Sequence, residues 1–512
     1  MSNKVFKTSA YVFFLTLFVK IAGFLREIIM GYFGGTSSIT DAYNISNTIP
    51  NFFLVVITQI ITIAFIPIFL SIKTNEGEDA SNKFVNKCIF LILMITSMFS
   101  LVIFFFPDVL TSLFASGLDS ETKKISTNLL KICCWSVVFQ TFVIVFSSFL
   151  NAKKHFLPPL LCGLVLDGAT VLFFILYSKT GSEYWIGFIQ LVTSILQAVM
   201  LLIFAFKAGF RFKIDKKIFD KNIKKILLVS LPALISVGVY EINVLVDKNF
   251  GSYFSTGAIS SLSYAQTINN LFYTLVVNSI ILVAYTHFSD YIVKQKNQEA
   301  ASLLLTSVKS ILFITIPLAI VVSIYSKNIV TVLFMRGKFD ARSVDLTYKN
   351  LICYVSGLPF LCLSFLAVRF LYANRNHYPA IIISTIGLIA NIGFNFLSYN
   401  FTNFGVTGIA LATTVSSIIQ TFLLYLYISR KYGVSVIRQG FSSISIPIIT
   451  SLLIVPILFA TKRIMSPINH AIIKLALEML IIVLVYMVLV FLFEPKYFEQ
   501  FKKFLPRKRV KK

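Results

Sequence analysis

Apolar runs of about 20 residues follow one another along the chain, with short polar or basic stretches between them. Residues 11–19, 89–106, 171–177, 311–325 and 479–493 lie at the hearts of five such runs. A bilayer core needs about 20 apolar residues per spanning helix. Segments at roughly 5–32, 39–72, 85–109, 122–150, 154–178, 183–208, 221–248, 256–289, 301–325, 344–373, 376–399, 403–429, 440–461 and 469–494 qualify. The pattern predicts an all-α, polytopic membrane protein of about 14 transmembrane helices and no soluble catalytic domain. Lys4 and Lys7 precede the first run, which itself carries Lys20 and Arg26 and lacks a small-residue cleavage site. That run is expected to persist as a helix rather than be removed as a signal peptide.

The pattern also repeats. Residues 110–117 match residues 330–337, and residues 149–158 match residues 370–379. Both matches keep the same order at an offset of about 220 residues, and their identical positions include Gly117 with Gly337 and Pro158 with Pro379. A duplicated six-helix unit places one lobe at 1–218 and a second at 219–435, joined by the basic linker 207–225. Residues 436–512 then hold two further helices and a basic cytoplasmic tail. Six helices are an even number, so both copies run through the membrane in the same direction. Such parallel repeats bind substrate at their interface and suit alternating access.

Composition changes the picture in one respect. With 57% hydrophobic and 13% charged residues, the chain has too little polar surface for a water-facing globule. The net charge of +25 would suit nucleic acid, but its placement does not. When successive connections are assigned to alternate sides, roughly 29 Lys/Arg fall on one side and roughly 9 on the other. The cationic side is expected to be cytoplasmic, with both termini there, in an inner-membrane protein. Anionic phospholipid headgroups are the expected partners of this charge, and no nucleic-acid partner is expected. Cys88, Cys133, Cys134, Cys162, Cys353 and Cys362 all sit in apolar segments and read as small hydrophobes. No phosphate-binding Gly-rich loop of the nucleotide-hydrolase type is present, and no cofactor is expected.

Ionisable groups inside spanning segments cost about 2.5–3.5 kcal/mol on insertion scales, so each is a functional candidate. The first helix carries Lys20, Arg26 and Glu27. Lys20 and Arg26 face directions about 120° apart and can border one wide cavity, unless Arg26 simply pairs with Glu27. Asp41 opens the second helix, where helix capping competes with a functional role. Glu241 and Asp247 lie on the seventh segment, and Asn391 and Asn395 lie one turn apart on the eleventh. Their oxygens would suit a hard cation such as sodium, or an interhelical hydrogen-bond cluster. Asp167 and the i,i+4 pair Lys474 and Glu478 are further intramembrane charges, and the latter two are expected to pair.

Val19-Lys20-Ile21-Ala22-Gly23-Phe24-Leu25-Arg26-Glu27, then Phe33-Gly34-Gly35, Asp41-Ala42-Tyr43, Ile49-Pro50-Asn51 and Ala64-Phe65-Ile66-Pro67, resemble the MurJ/MviN family of lipid II flippases. Leu231-Pro232-Ala233 with Glu241-Ile242-Asn243 and Val246-Asp247 resembles that family's seventh helix. The resemblance implies the multidrug/oligosaccharidyl-lipid/polysaccharide exporter fold. It further implies a flippase that moves an undecaprenyl-pyrophosphate-linked saccharide between leaflets, with envelope-synthesis proteins as candidate partners. By position, Lys20, Arg26, Asp41, Asn51, Gln59 and Gln266 are the implied substrate contacts. Asp247, Asn391 and Asn395 resemble the family's sodium site, with Asn395 in place of a carboxylate. Leu54 and Thr267 stand where the family usually has Arg, and Gln59 and Gln266 stand where it usually has acids. A lipid-linked capsule or exopolysaccharide unit is the alternative cargo, and a cation-coupled drug exporter a more distant one.

Overall fold

The computed structural model describes residues 2–213, 220–433, 436–464 and 471–493. The tail 494–512 and the centre of the basic linker lie outside the described residues. The chain is all-α, with no strand among the described residues. The first helices are α1 (Ser2–Gly34), α2 (Ser38–Phe105), α3 (Pro107–Phe114), α4 (Ser120–Cys133), α5 (Ser136–Ala152), α6 (Leu157–Thr180), α7 (Tyr184–Lys207) and α8 (Lys221–Gly251). They are followed by α9 (Ala258–Phe272), α10 (Asn278–Val293), α11 (Asn297–Phe334), α12 (Ala341–Ala373), α13 (His377–Phe401), α14 (Thr407–Tyr432), α15 (Val436–Ile464) and α16 (Ala471–Phe493).

Among the described residues the expected apolar segments lie largely on helix, with three departures in detail. The run 39–72 and the run 85–109 as far as Phe105 are continuous as α2, broken only at Gly77, whose φ of 88° suits glycine, and residues 107–109 open α3. The run 122–150 is two helices, α4 and α5, meeting at a 49° bend. The run 256–289 is split by a π-helical turn at Tyr273–Val277 between α9 and α10. Among the described residues, nine helices are long and apolar enough to cross a membrane, or ten if the bent α4–α5 pair counts as one span.

Two compact units emerge. One comprises Met1–Leu271, Phe334–Thr347 and Ser384–Ala412. Its apolar core stacks Phe65 on Phe69 at 5.7 Å and sets Phe149 edge-on against Phe69 at 5.6 Å, with Phe146 and Phe210 beside them. Lipid is as apolar as these side chains, so close packing and polar contacts must supply the association between helices. Gly163 shows how: a Cβ there would lie 2.6 Å from Val19 Cγ1, so glycine lets α6 approach α1. At one end of this unit the polar start of the second half of α2 is tied down. Lys153 and Lys73 both pair with Glu78, Lys213 pairs with Asp79, and Lys87 reaches Asp220 at 2.9 Å. Partial burial disfavours the Asp220 carboxylate, but the Ile223 amide and the Lys87 amine more than offset this and hold its pKa below the ordinary range.

The other unit comprises Phe272–Leu333, Tyr348–Ile383 and Thr413–Lys512. Its core includes Leu304, Ile311, Leu366, Leu371, Leu424 and Ile428. Thr414 and Thr421 on α14 donate to the carbonyls of Cys353 and Phe360 on α12, the cross-helix hydroxyl bonding common in membranes. The expected Lys474–Glu478 pair does not form among the described residues. Glu478 is buried, and neither of its carboxylate oxygens meets a donor. The six cysteines are free, and all but the partly exposed Cys353 are buried.

Candidate functional site

The first unit gathers nearly all the polar residues singled out by the sequence. Arg26 does not stand alone. Its Nη2 meets Glu27 Oε1 at 2.7 Å and its Nη1 meets Asp167 Oδ1 on α6 at 3.2 Å. One guanidinium therefore serves two carboxylates, all three partly shielded. Gly23, one turn earlier on α1, faces the same carboxylate: a Cβ there would make an ordinary contact with Asp167 Oδ1 at 3.7 Å. Lys20 is exposed on the same helix.

Asp41 does cap a helix, but not its own. The α2 N-terminus is capped by Ser37 and Thr40 in a reciprocal box. Asp41 is buried and accepts from the Gly257 amide at 2.7 Å and the Ser260 amide at 2.7 Å, at the start of α9. Negative charge is stabilising there because the first amides of a helix have no partners within it. Tyr264 of α9 adds a bond from its hydroxyl to the Gly35 carbonyl at 3.1 Å. Gly257, with φ of 90°, also lies so close to Thr36 that a Cβ would meet its carbonyl oxygen at 2.7 Å.

The same end is closed by two similar joints. A Cβ on Gly117 would lie 2.6 Å from the Tyr253 backbone nitrogen, and one on Gly337 would lie 2.3 Å from the Tyr32 carbonyl oxygen. Ser252 Oγ accepts from the Gly117 amide at 2.9 Å, and Tyr32 O accepts from the Lys338 amide at 2.9 Å. Ser116 adds a hydroxyl contact to Tyr253 at 2.7 Å.

Below this seal, α2 presents a polar stripe. At about 100° per residue, Asp41, Asn44, Asn47, Thr48, Asn51, Thr58 and Gln59 all lie within roughly 60° of Asn44 around the helix axis. Asn51 is exposed and Gln59 partly buried, and on α9 Gln266 is partly buried. These three make no side-chain hydrogen bond among the described residues, so their amides remain available. Leu54, by contrast, is buried in the apolar core.

Asp247, Asn391 and Asn395 do come together. Asn395 Nδ2 donates to Asp247 Oδ1 at 2.9 Å and to Asn391 Oδ1 at 2.9 Å, joining α8 to α13. All three are buried, and Asn395 Oδ1 has no hydrogen-bond partner.

Sequence reasoning missed two features. It left Asp167 unassigned, although this is the distant partner of Arg26, 141 residues away. It also passed over Lys248, which follows Asp247. Adjacent helical residues point about 100° apart, so Asp247 turns to α13 while Lys248 turns to α2. The Lys248 amine donates to Thr48 Oγ1 and to the Asn44 carbonyl at 3.4 Å. The polar stripe of α2 was the signal that could have found it.

Known proteins match this arrangement over most of its length. The model of the family described as lipid II flippase MurJ matches residues 29–466. A probable lipid II flippase MurJ of Treponema pallidum (strain Nichols) is 25% identical over 447 residues, covering 85% of this chain and 84% of that protein. One from Buchnera aphidicola subsp. Schizaphis graminum (strain Sg) is 26% identical over 438 residues, covering 83% and 84%. The solved structure of a lipid II flippase MurJ in an inward closed conformation superposes with a TM-score of 0.81 at 25% identity, covering 96% of this chain and 100% of that one. An inward-facing multidrug resistance transporter of the MATE family and MOP superfamily superposes with a TM-score of 0.70 at 9% identity, covering 82% and 98%, which speaks to the fold alone. The family match begins within α1, takes in Asp41, Lys248 and the α8–α13 cluster and runs through the penultimate helix to residue 466, and this chain accordingly belongs to the MurJ family of lipid II flippases.

Proposed function

We propose that this protein is a transporter that carries lipid II, the undecaprenyl-pyrophosphate-linked peptidoglycan precursor, from the inner to the outer leaflet of the bacterial cytoplasmic membrane. The family match across residues 29–466 carries this reading. It does not favour a capsule unit or a drug as cargo. The polar interior of the first unit supports it chemically: a diphosphate needs cations and amide donors out of the lipid, while the prenyl chain does not. Lys20, Asn51, Gln59 and Gln266 are the proposed cargo contacts; Arg26 acts beside them by tying α1 to α6, and Asp41 by holding α9 in place. The duplicated lobes 1–218 and 219–435 would expose this site to each leaflet in turn, with residues 436–512 outside the duplication. The decisive test is translocation of fluorescent lipid II in proteoliposomes, alongside rescue of cells depleted of their own lipid II flippase. Absence of both would sink the proposal.

Both termini are proposed to face the cytoplasm, which puts the glycine-sealed end of the first unit outside. Ser120→Cys and Thr402→Cys should then label from the outside of intact cells and Gln295→Cys should not. The reverse pattern would invert the topology.

Sodium is the proposed coupling ion. Asp247, Asn391 and Asn395 supply one carboxylate and two amides, and the orphaned Asn395 oxygen fits a cation ligand. When bound, sodium would supply positive charge beside Asp247. These residues already hold α8 to α13 by hydrogen bonds, so the cluster is ordered before any ion arrives.

A further inference from the structure

We infer that Lys248 is the anion-binding cation of the polar interior, and that it recognises the diphosphate group of a prenyl-linked cargo. The inference rests on the proposed function for the identity of that cargo and on the geometry for the site itself.

Two of the other charges near Lys248 are already matched. Arg26 is bound by both Glu27 and Asp167. Asp41 is bound by two amides at the start of α9. Glu241 lies two turns before Lys248 on the same face of α8, about 10 Å along the axis. Lys248 itself is only partly buried and makes no ion pair among the described residues. Its two acceptors, Thr48 Oγ1 and the Asn44 carbonyl, are uncharged. An ammonium has three donors, so one is left over.

The two acceptors also fix where the amine sits. The Thr48 hydroxyl donates to the Asn44 carbonyl at 2.6 Å, which turns its oxygen lone pairs toward Lys248. The amine is thereby held against the polar stripe of α2, which also carries Asn51 one turn after Thr48. A compact, strongly charged donor fixed on that stripe suits a phosphate oxygen. An arginine clamped by two carboxylates does not, because an incoming anion would have to displace one of them.

The test uses the full-length protein in detergent. Binding of farnesyl diphosphate, farnesyl monophosphate and inorganic pyrophosphate is measured for wild type, Lys248→Met, Lys248→Arg and Arg26→Gln. Lys248→Met replaces a partly buried charge by a side chain of similar shape, so its fold should survive, and its melting temperature without ligand checks this. Lys248→Met is expected to weaken farnesyl diphosphate at least tenfold and Lys248→Arg by less than threefold, with farnesyl monophosphate binding more weakly than the diphosphate throughout. Parallel losses for inorganic pyrophosphate and farnesyl diphosphate assign recognition to the diphosphate. A loss seen with farnesyl diphosphate alone assigns it to the lipid-anchored group. Unchanged diphosphate affinity in folded Lys248→Met overturns the inference, as does a tenfold loss in Arg26→Gln with none in Lys248→Met. If Lys248→Met also melts early, Lys248→Arg decides: diphosphate binding below one tenth of wild type in that folded variant overturns it. A wild-type protein that binds diphosphate through Lys248 but does not move lipid II keeps the site and removes the proposed function. One that moves lipid II equally well as wild type and as Lys248→Met does the opposite.

Discussion

Arg26 and Lys248 are both cations in the interior of one unit, yet they are held in opposite ways. The guanidinium on α1 is shared between Glu27 and Asp167, so its cluster carries more acid than base. The amine on α8 rests on a hydroxyl and a carbonyl. A planar fork suits bridging two carboxylates, whereas a point charge on a flexible stem suits a site that changes partners. The lesson is that a conspicuous motif cation can be a tie between helices, while a quieter neighbour remains open for a ligand.

The sharpest way to break this contrast is Arg26→Ala. It leaves Glu27 and Asp167 facing each other without a cation, which for a buried pair costs about 3–5 kcal/mol. Lipid II translocation should fall below detection and the melting temperature should drop. If the role is that of a tie, adding Glu27→Gln and Asp167→Asn to Arg26→Gln should recover most of the melting temperature. Failure to recover it would put Arg26 back among the groups that act on the anion directly.

Asp41→Ala should follow in size. It leaves two amides of α9 without their acceptor, at about 1–3 kcal/mol. The expected result is faster hydrogen exchange at residues 257–261 and impaired transport. Unchanged exchange there would show that the α9 start is held by its surroundings alone.

Asp247→Asn is a smaller perturbation that keeps the shape of the α8–α13 cluster. Sodium should raise the melting temperature of the wild type and leave that of the variant unmoved. A wild type indifferent to sodium would reduce the cluster to a hydrogen-bonded joint. Lys20→Arg should change least, since Lys20 is exposed and the charge is retained. Transport within twofold of wild type is expected, and a larger loss would mean that a compact ammonium is needed at that place.

Much of the fold was legible because the bilayer imposes a simple rule on apolar run length. Among the described residues every expected run is largely helical, and a break sits where local chemistry permits it, as at Gly77. The polar interior was only half legible. A spacing of four residues placed Asn391 and Asn395 on one face, and a carboxylate on α8 was a natural partner. Nothing local tells Asp41 that its amides lie 216 and 219 residues away, or Arg26 that its second carboxylate is on α6. Such partners are fixed by tertiary approach, and the glycines that allow the approach look from sequence like any others. Lys248 is masked in the sequence by the acid before it. The angle between neighbours on a helix sends the two side chains to different helices.

The two glycine joints at the sealed end carry a consequence for how this chain can change over time. Gly117 rests on Tyr253, and Gly337 rests on Tyr32. The glycines are 220 residues apart and the tyrosines 221, close to the offset of the sequence matches. On the proposed duplication into lobes 1–218 and 219–435, each lobe offers the glycine that the other lobe's tyrosine backbone receives. In such a pairing neither half can drift alone. A side chain added at either glycine wedges the joint from one side only, and correcting it requires a matching retreat in the opposite half, more than a hundred residues away along the chain.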